Sequence, residues 1–178
     1  MTSVPEPAAQ VSDQKLLRRA FGTFASGVAV ATVGGQSPHA MTASSLTSVS
    51  LDPPLLLVCV ACSAIMHRRI SAAGCFGVSV LAAGQEGIAR HFADRWRTLG
   101  PGQFETVDCL PGRLTGVPLI SGALAAFECE LWRSYEGGDH TIFIGKLLTL
   151  DWTPDDNALL FFRGEFGRFT LDRSEVTV

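Results

Sequence analysis

Charge is scarce in this 178-residue chain: Asp, Glu, Lys and Arg make up 17% of it, against 47% hydrophobic residues. Acidic and basic groups nearly cancel, at a formal net charge of −3. The Lys and Arg residues are scattered, which excludes the basic stripe that binding to a nucleic-acid backbone demands. Two short basic clusters, Leu17-Arg18-Arg19 and His67-Arg68-Arg69, read as solvated helix faces. Long apolar runs are missing too. None approaches the roughly 20 residues of a membrane helix, so no membrane partner is expected. The opening MTSVPEPAAQV lacks the basic start and apolar middle of a secretory leader. It reads as a tail over residues 1–13, ahead of a single domain over 14–178, and the expected location is cytoplasmic. So little charge also means that much apolar surface must be hidden, in a large core or a subunit contact.

Familiar catalytic signatures are absent as well. There is no G-x-G-x-x-G after a strand, no G-x-x-x-x-G-K-[ST], no G-x-S-x-G and no H-E-x-x-H. Any nucleotide bound here is therefore held by other means. Of the five cysteines, Cys59 and Cys62 have C-x-x-C spacing, but no second such pair or His pair completes a tetrahedral zinc site. No metal centre is expected. Cys59 lies inside LLLVCVA, where burial would raise a thiol pKa and blunt its reactivity. The thiols read as structural.

Leu16, Leu17, Ala20 and Phe21 have the spacing of a short helix, ended by Gly22 or Gly27. GVAVATV, residues 27–33, is β-branched and bounded by Gly34-Gly35, a strand before a turn. Residues 39–50 predict a second strand and its exit, and 55–61 a third. Ser63 is a candidate N-cap for a helix closing at Gly74. A strand over 76–81 and a helix over 85–92 follow. Residues 94–121, full of Gly and Pro, read as irregular loop with one short strand. Two long strands, 123–135 and 141–152, flank the turn EGGDH as a hairpin, and 159–163 is a last strand. Six or seven strands, at least three short helices and no regular alternation of the two predict a mainly β fold, an antiparallel barrel with helices at its ends.

Three features could carry chemistry. Between Thr42 and Ser50, six of nine side chains are hydroxyls. Strand alternation would put Thr42, Ser44 and Leu46 on one face, and Ala43, Ser45 and Thr47 on the other. Small side chains let a planar ligand lie against the backbone, and hydroxyls switch between donor and acceptor, which suits a ring with mixed edges. An edge strand facing water would be equally rich in hydroxyls, so both readings stand on composition. Ser63, at a helix start, could help hold a phosphate. His140 follows Gly137-Gly138-Asp139 at a turn and opens an apolar strand; a loop histidine can be a site residue or merely exposed. Arg163-Gly164, in FFRGEF, could bind phosphate, stack on a ring, or cap the barrel end.

In order, FASGVAVAT, MTASSLTSVSLDPPLLLVCV, GCFGVSVLAAGQEGIARHF, GDHTIFIGK and LLFFRGEF resemble the short-chain flavin reductases, the reductase components of two-component flavin-dependent monooxygenases. The resemblance runs from about Leu16 to Phe169. It implies an FMN-binding split barrel, usually a homodimer, that oxidises NADH or NADPH and releases reduced FMN or FAD to a partner monooxygenase. Carried over by position, Thr42, Ala43, Ser44, Ser45, Leu46, Ser48 and Val49 would line the flavin ring. Ser63, Ala64 and Ile65 would meet its ribityl phosphate side, and Phe92 would pack near it. His140 would contact the nicotinamide nucleotide, with Phe162, Arg163 and Gly164 close by. Three positions depart from the family: Leu46 stands where Phe is common, Ser79 where Asn is frequent, and Lys146 where Glu often follows "IG". The first two are expected to bear on flavin choice, the third on a surface or dimer contact.

The resemblance agrees with what the chain lacks. Hydride transfer requires the two rings stacked with reacting atoms roughly 3–3.5 Å apart, and the cofactor supplies the electronics. The protein then needs a floor of small residues, hydrogen bonds to the ring edge and one open face, with no nucleophile or metal. His140 is accordingly a positioning group. Two alternatives remain: a split-barrel oxidase that keeps its FMN, and a flavin- or haem-binding sensor without turnover.

Overall fold

The structure is a computed structural model that describes residues 13–153 and 157–169. The chain order is α1 (Gln14–Phe21), β1 (Ser26–Gly27), β2 (Ala29–Val33), β3 (His39–Ala43), β4 (Thr47–Leu51), β5 (Pro54–Ala61), α2 (Ile65–Ala73) and β6 (Cys75–Val80). It continues through α3 (Glu86–Ala93), β7 (Cys109–Pro111), β8 (Pro118–Ile120), β9 (Ala125–Gly137), β10 (His140–Trp152), β11 (Leu159–Phe162) and β12 (Glu165–Arg168).

Seven of these strands form one antiparallel sheet in the order β3-β2-β6-β9-β10-β5-β4. Its two edge strands, β3 and β4, are consecutive in the chain and joined only by Ser44–Leu46. In a flat sheet, gaps of roughly 4.8 Å between strands would set those edges nearly 30 Å apart. Three linking residues reach at most about 14 Å. The sheet must therefore curl until its edges approach, which makes an incompletely closed barrel, as expected. Ser45 fastens the seam: Cys59 N donates to Ser45 Oγ at 3.0 Å, and Ser45 Oγ donates to Cys59 O at 3.1 Å.

The β2 strand is buried on both faces, which explains its unbroken apolar run. Ala29, Ala31 and Val33 face an inner cluster with Val58, Val60, Phe76, Phe143, and Met66 and Ile70 of α2. Val28 and Val30 face an outer cluster with Leu81, Leu159, and Ala89 and Phe92 of α3. At the chain's beginning, the Asp13 carboxylate accepts from Lys15 N and Leu16 N and caps α1. Asp13 is thus part of the folded unit, while the rest of the expected tail lies outside the described residues.

Several expectations need correction. The predicted second strand is two strands on opposite edges of the sheet, because Ser45 spends its side chain on the β5 backbone in place of a strand partner. The N-cap of α2 is Ala64, in extended conformation, and not Ser63. Gly74 closes that helix in the left-handed region, at φ 65°, as predicted. Residues 94–121 hold two short paired strands, β7 and β8, and a 3-10 turn over Gly100–Phe104. Gln103 ties that turn to the barrel: its side chain accepts from Ala40 N and donates to Pro38 O and Gly100 O, each at 2.9 Å. Ser79 is fully buried and its hydroxyl accepts from Ile120 N at 3.0 Å, so it has no surface with which to select a flavin. Lys146 sits with its ammonium 5.4 Å from the Trp132 ring centre.

Candidate functional site

The C-terminal end of β5 gathers most of the expected site. Cys59 holds Ser45. Two residues on, Ala61 pairs with His140 at the start of β10. Cys62 N then donates to Asp139 O at 2.9 Å, and Ser63-Ala64 lead into α2. The hydroxyl segment, the helix start and the histidine turn therefore meet within a few residues of one strand end.

The hydroxyls divide by use. Thr42 Oγ1 donates to Ala89 O at 2.7 Å and anchors β3 to α3. Ser45 closes the seam. Ala43 is buried, and Leu46 packs against the inner cluster. Ser44, Thr47 and Ser48 are exposed, and among the described residues their hydroxyls bond no group of the chain. Val49 extends the same exposed segment. Because β4 is an edge strand, one side of its backbone also has no strand partner. Ser44, Thr47, Ser48 and Val49 thus present small side chains, three of them with free hydroxyls, along a free backbone edge, the donor set a heteroaromatic ring of mixed polarity requires. Ser63 is exposed, no side chain caps α2, and Ile65 is half-buried on its first turn. Of the first-turn amides, those of Ile65 and Met66 bond no group among the described residues and suit a phosphate.

Phe92 lies elsewhere. At 1% exposure it belongs to the outer core, with Phe104 against its ring at 5.5 Å between centroids. It supports α3, and through Thr42 the end of β3, and offers no surface to a ligand.

His140 Nδ1 donates to Asp139 Oδ1 at 2.7 Å. That hydrogen bond, then the imidazole charge, and more weakly Arg18, hold the Asp139 carboxyl below its usual range. With Nδ1 engaged, Nε2 is the nitrogen left for a ligand. The neighbouring Thr141 contacts His67 Nε2 at 2.9 Å and Cys62 Sγ at 3.7 Å, and the His67 ring meets Phe143 edge-on at 5.3 Å. Burial raises the Cys59 thiol, as expected, whereas Cys62 is exposed.

Arg163 has φ 52° and Gly164 φ 87°, both in the left-handed region, at the tight turn between β11 and β12. Arg163 N donates to Gly22 O at 2.8 Å, which docks this turn on the end of α1. The Arg163 guanidinium lies 5.0 Å from the Phe162 ring centre. A cavity of about 540 Å³ elsewhere is lined by Arg113, Asp151 and Trp152, but the one beside this turn, about 490 Å³, is lined by Arg18, Arg19, Thr23, Arg163 and Gly164. The α1 basic pair, read from sequence as a solvated face, thus borders a cationic pocket. Only the pairing of α1 with the distant β11–β12 turn discloses it.

A family model described as a flavin reductase like domain matches residues 21–170. The chain is 52% identical over 178 residues, 98% of each chain, to the NADH-dependent FAD reductase of Streptomyces globisporus. It superposes on the solved NADH:FAD oxidoreductase SgcE6 of that organism with a TM-score of 0.89, at 51% identity over 94% of this chain and 100% of the other. BorF, the flavin reductase component of a bacterial two-component tryptophan halogenase, gives a TM-score of 0.85 at 54% identity, over 88% and 98%. Fold, order of motifs and overall likeness agree, and the chain belongs to the flavin reductase like family.

Proposed function

We propose that this protein is an NADH-dependent flavin reductase that reduces FAD or FMN and hands the reduced flavin to a separate monooxygenase. The observation that carries the reading is the meeting, at the end of β5, of the open strip Ser44–Val49 with His140 and the α2 start. Flavin, when bound, supplies the hydride-accepting ring, which explains why the chain offers no nucleophile of its own. Ser44, Thr47, Ser48 and the free edge of β4 hold the ring edge. Ser63 and the amide of Ile65, at the α2 start just past Ala64, hold the phosphate. His140, oriented by Asp139, positions the nicotinamide, and Arg163 and Gly164, beside Phe162, border the cationic pocket for that dinucleotide's phosphates. NADPH is the alternative donor.

The reading includes a homodimer. Trp132, Leu148, Leu150 and Trp152 of the β9–β10 hairpin are exposed, and so is Leu51 on β4, at 93%; a second copy covering such apolar surface supports it. It also includes a cytoplasmic location. Among the described residues no helix is long and apolar enough to cross a membrane.

Adding catalytic amounts of protein to NADH and excess FAD or FMN tests the activity. Loss of nicotinamide absorbance over many turnovers is expected. Binding of flavin without that loss would leave a sensor or carrier, and flavin that survives dialysis would favour a flavin-retaining oxidase. Substituting His140→Ala is expected to raise the NADH KM about tenfold and the flavin KM less than about twofold, since the ring positions the donor and moves no proton in the hydride step. Unchanged constants would remove His140 from the site.

A further inference from the structure

The two ligand-holding parts of the site come from segments far apart in the chain: Ser63–Ile65 at the α2 start, and His140 at the start of β10. Backbone pairing keeps them in register only as far as Cys62. Ala61, the last residue of β5, pairs with His140, and Cys62 N donates to Asp139 O at 2.9 Å. Beyond that the chain leaves the ladder and enters α2.

One side chain of β10 continues the tie. Strand alternation turns Thr141 to the face opposite His140, the face of Phe143 in the inner cluster. The Thr141 hydroxyl is hydrogen-bonded to His67 Nε2 at 2.9 Å and lies 3.7 Å from Cys62 Sγ. Thr141 thus touches the residue just before the phosphate segment and the α2 turn just after it. A hydroxyl can serve both, since it has one donor and two acceptor positions. His67 belongs to that first turn, for its N–H donates to Ala64 O at 3.2 Å. Its ring is braced edge-on against Phe143, itself 1% exposed, at 5.3 Å between centroids. Among the described residues no other hydrogen bond joins α2 to β10.

We propose that the Thr141–His67 pair is a positioning device for the hydride step: it fixes the α2 start, and the flavin phosphate held there, against the strand that carries His140. The inference rests on the flavin reductase reading above. Without the pair each ligand keeps its own contacts, so affinity for either changes little. What changes is the register of the two rings, and a displacement of the order of 1 Å can cost such a step up to about 100-fold.

Single-turnover reduction of flavin by NADH, both saturating and without oxygen, tests this on T141V, T141S and H67F. Flavin titration and the steady-state NADH KM accompany it. Val has the shape of Thr without the hydroxyl, and Phe at position 67 keeps a ring against Phe143. Hydride transfer is expected to fall about tenfold in T141V and at least about threefold in H67F, with flavin Kd and NADH KM within about twofold of wild type. T141S keeps the hydroxyl and should stay within about twofold on all three measures. The T141V/H67F double variant should be no more than about twofold slower than T141V, because both changes break the same contact. An unchanged rate in T141V would overturn the inference. So would T141S as slow as T141V, which assigns the effect to packing, or losses that multiply in the double variant. Weaker binding with hydride transfer intact would make the pair a binding element and overturn it too. Thermal melting checks folding, and H67F decides alone should T141V unfold. If the wild type oxidises NADH and the variants match its rate, the inference fails alone; a wild type that oxidises none removes the reductase reading and the inference with it.

Discussion

Glu128→Ala is expected to cost about 2–4 kcal/mol of folding stability, since it removes a buried carboxylate and with it five hydrogen bonds that hold one loop. Glu128 is 1% exposed, in the middle of β9. Its carboxylate accepts from Arg113 N at 2.7 Å, Leu114 N at 3.0 Å, Thr115 N at 2.6 Å, Thr115 Oγ1 at 2.6 Å and Thr149 Oγ1 at 2.9 Å. The 112–116 loop is built around that group so closely that a Cβ on Gly112 would come within 2.5 Å of it. The loop leads to β8, where Thr32 Oγ1 donates to Pro118 O at 2.5 Å, so its release would loosen the cover over β2.

Burial alone would raise the Glu128 carboxyl. The bonds from Thr115, Thr149 and Leu114 outweigh that and bring its pKa from 4.5 to about 2. A lowered carboxyl pKa contributes stability that is present above the unfolded value and lost as pH falls through the folded one. The protein should therefore weaken between about pH 4.5 and pH 2, and Glu128→Gln should weaken less over that window while starting from a lower stability at pH 7. Denaturant melts at pH 7 and pH 3 measure both. Equal melts for wild type and Glu128→Ala would refute the role.

Gly145→Ala is expected to cost about 2–3 kcal/mol by overpacking. The added Cβ would lie 2.6 Å from Phe76 Cζ and 2.9 Å from Cys129 Cβ, inside the inner cluster, where Phe76 and Cys129 are fully buried. Gly145 is also paired on both sides, with Leu56 of β5 and Leu131 of β9, so the backbone there has little freedom to retreat. Gly27→Ala is the control: among the described residues nothing lies within 4 Å of its added Cβ, and a change within about 0.5 kcal/mol is expected. Chemical denaturation compares the two, and an undisturbed Gly145→Ala would show that the barrel interior is looser than its contacts imply.

What could be seen in the amino acids beforehand was local. The β9–β10 hairpin declares itself by alternation on both sides of EGGDH, and α1 by spacing and Gly22. His140 stood out because it sits where a turn becomes a strand. What stayed hidden depends on partners far along the chain. The break at Ser44–Leu46 exists because Ser45 finds Cys59, fourteen residues on. Phe92 has the helical spacing of a core residue, yet resemblance alone set it beside the ligand; its burial against Phe104 needed the 100–104 turn, itself positioned by Gln103 reaching back 65 residues to Pro38. Arg18 and Arg19 carry no local signal either. Each becomes a wall of a cavity only when a distant loop closes the other side.

The structure of the chain crystallised with FAD tests most directly where the ring lies. The tricycle is expected against Ser44–Val49, its phosphate at Ser63–Ile65 and its uncovered face toward His140. Density for the ring anywhere else, with that strip bare, would contradict the site.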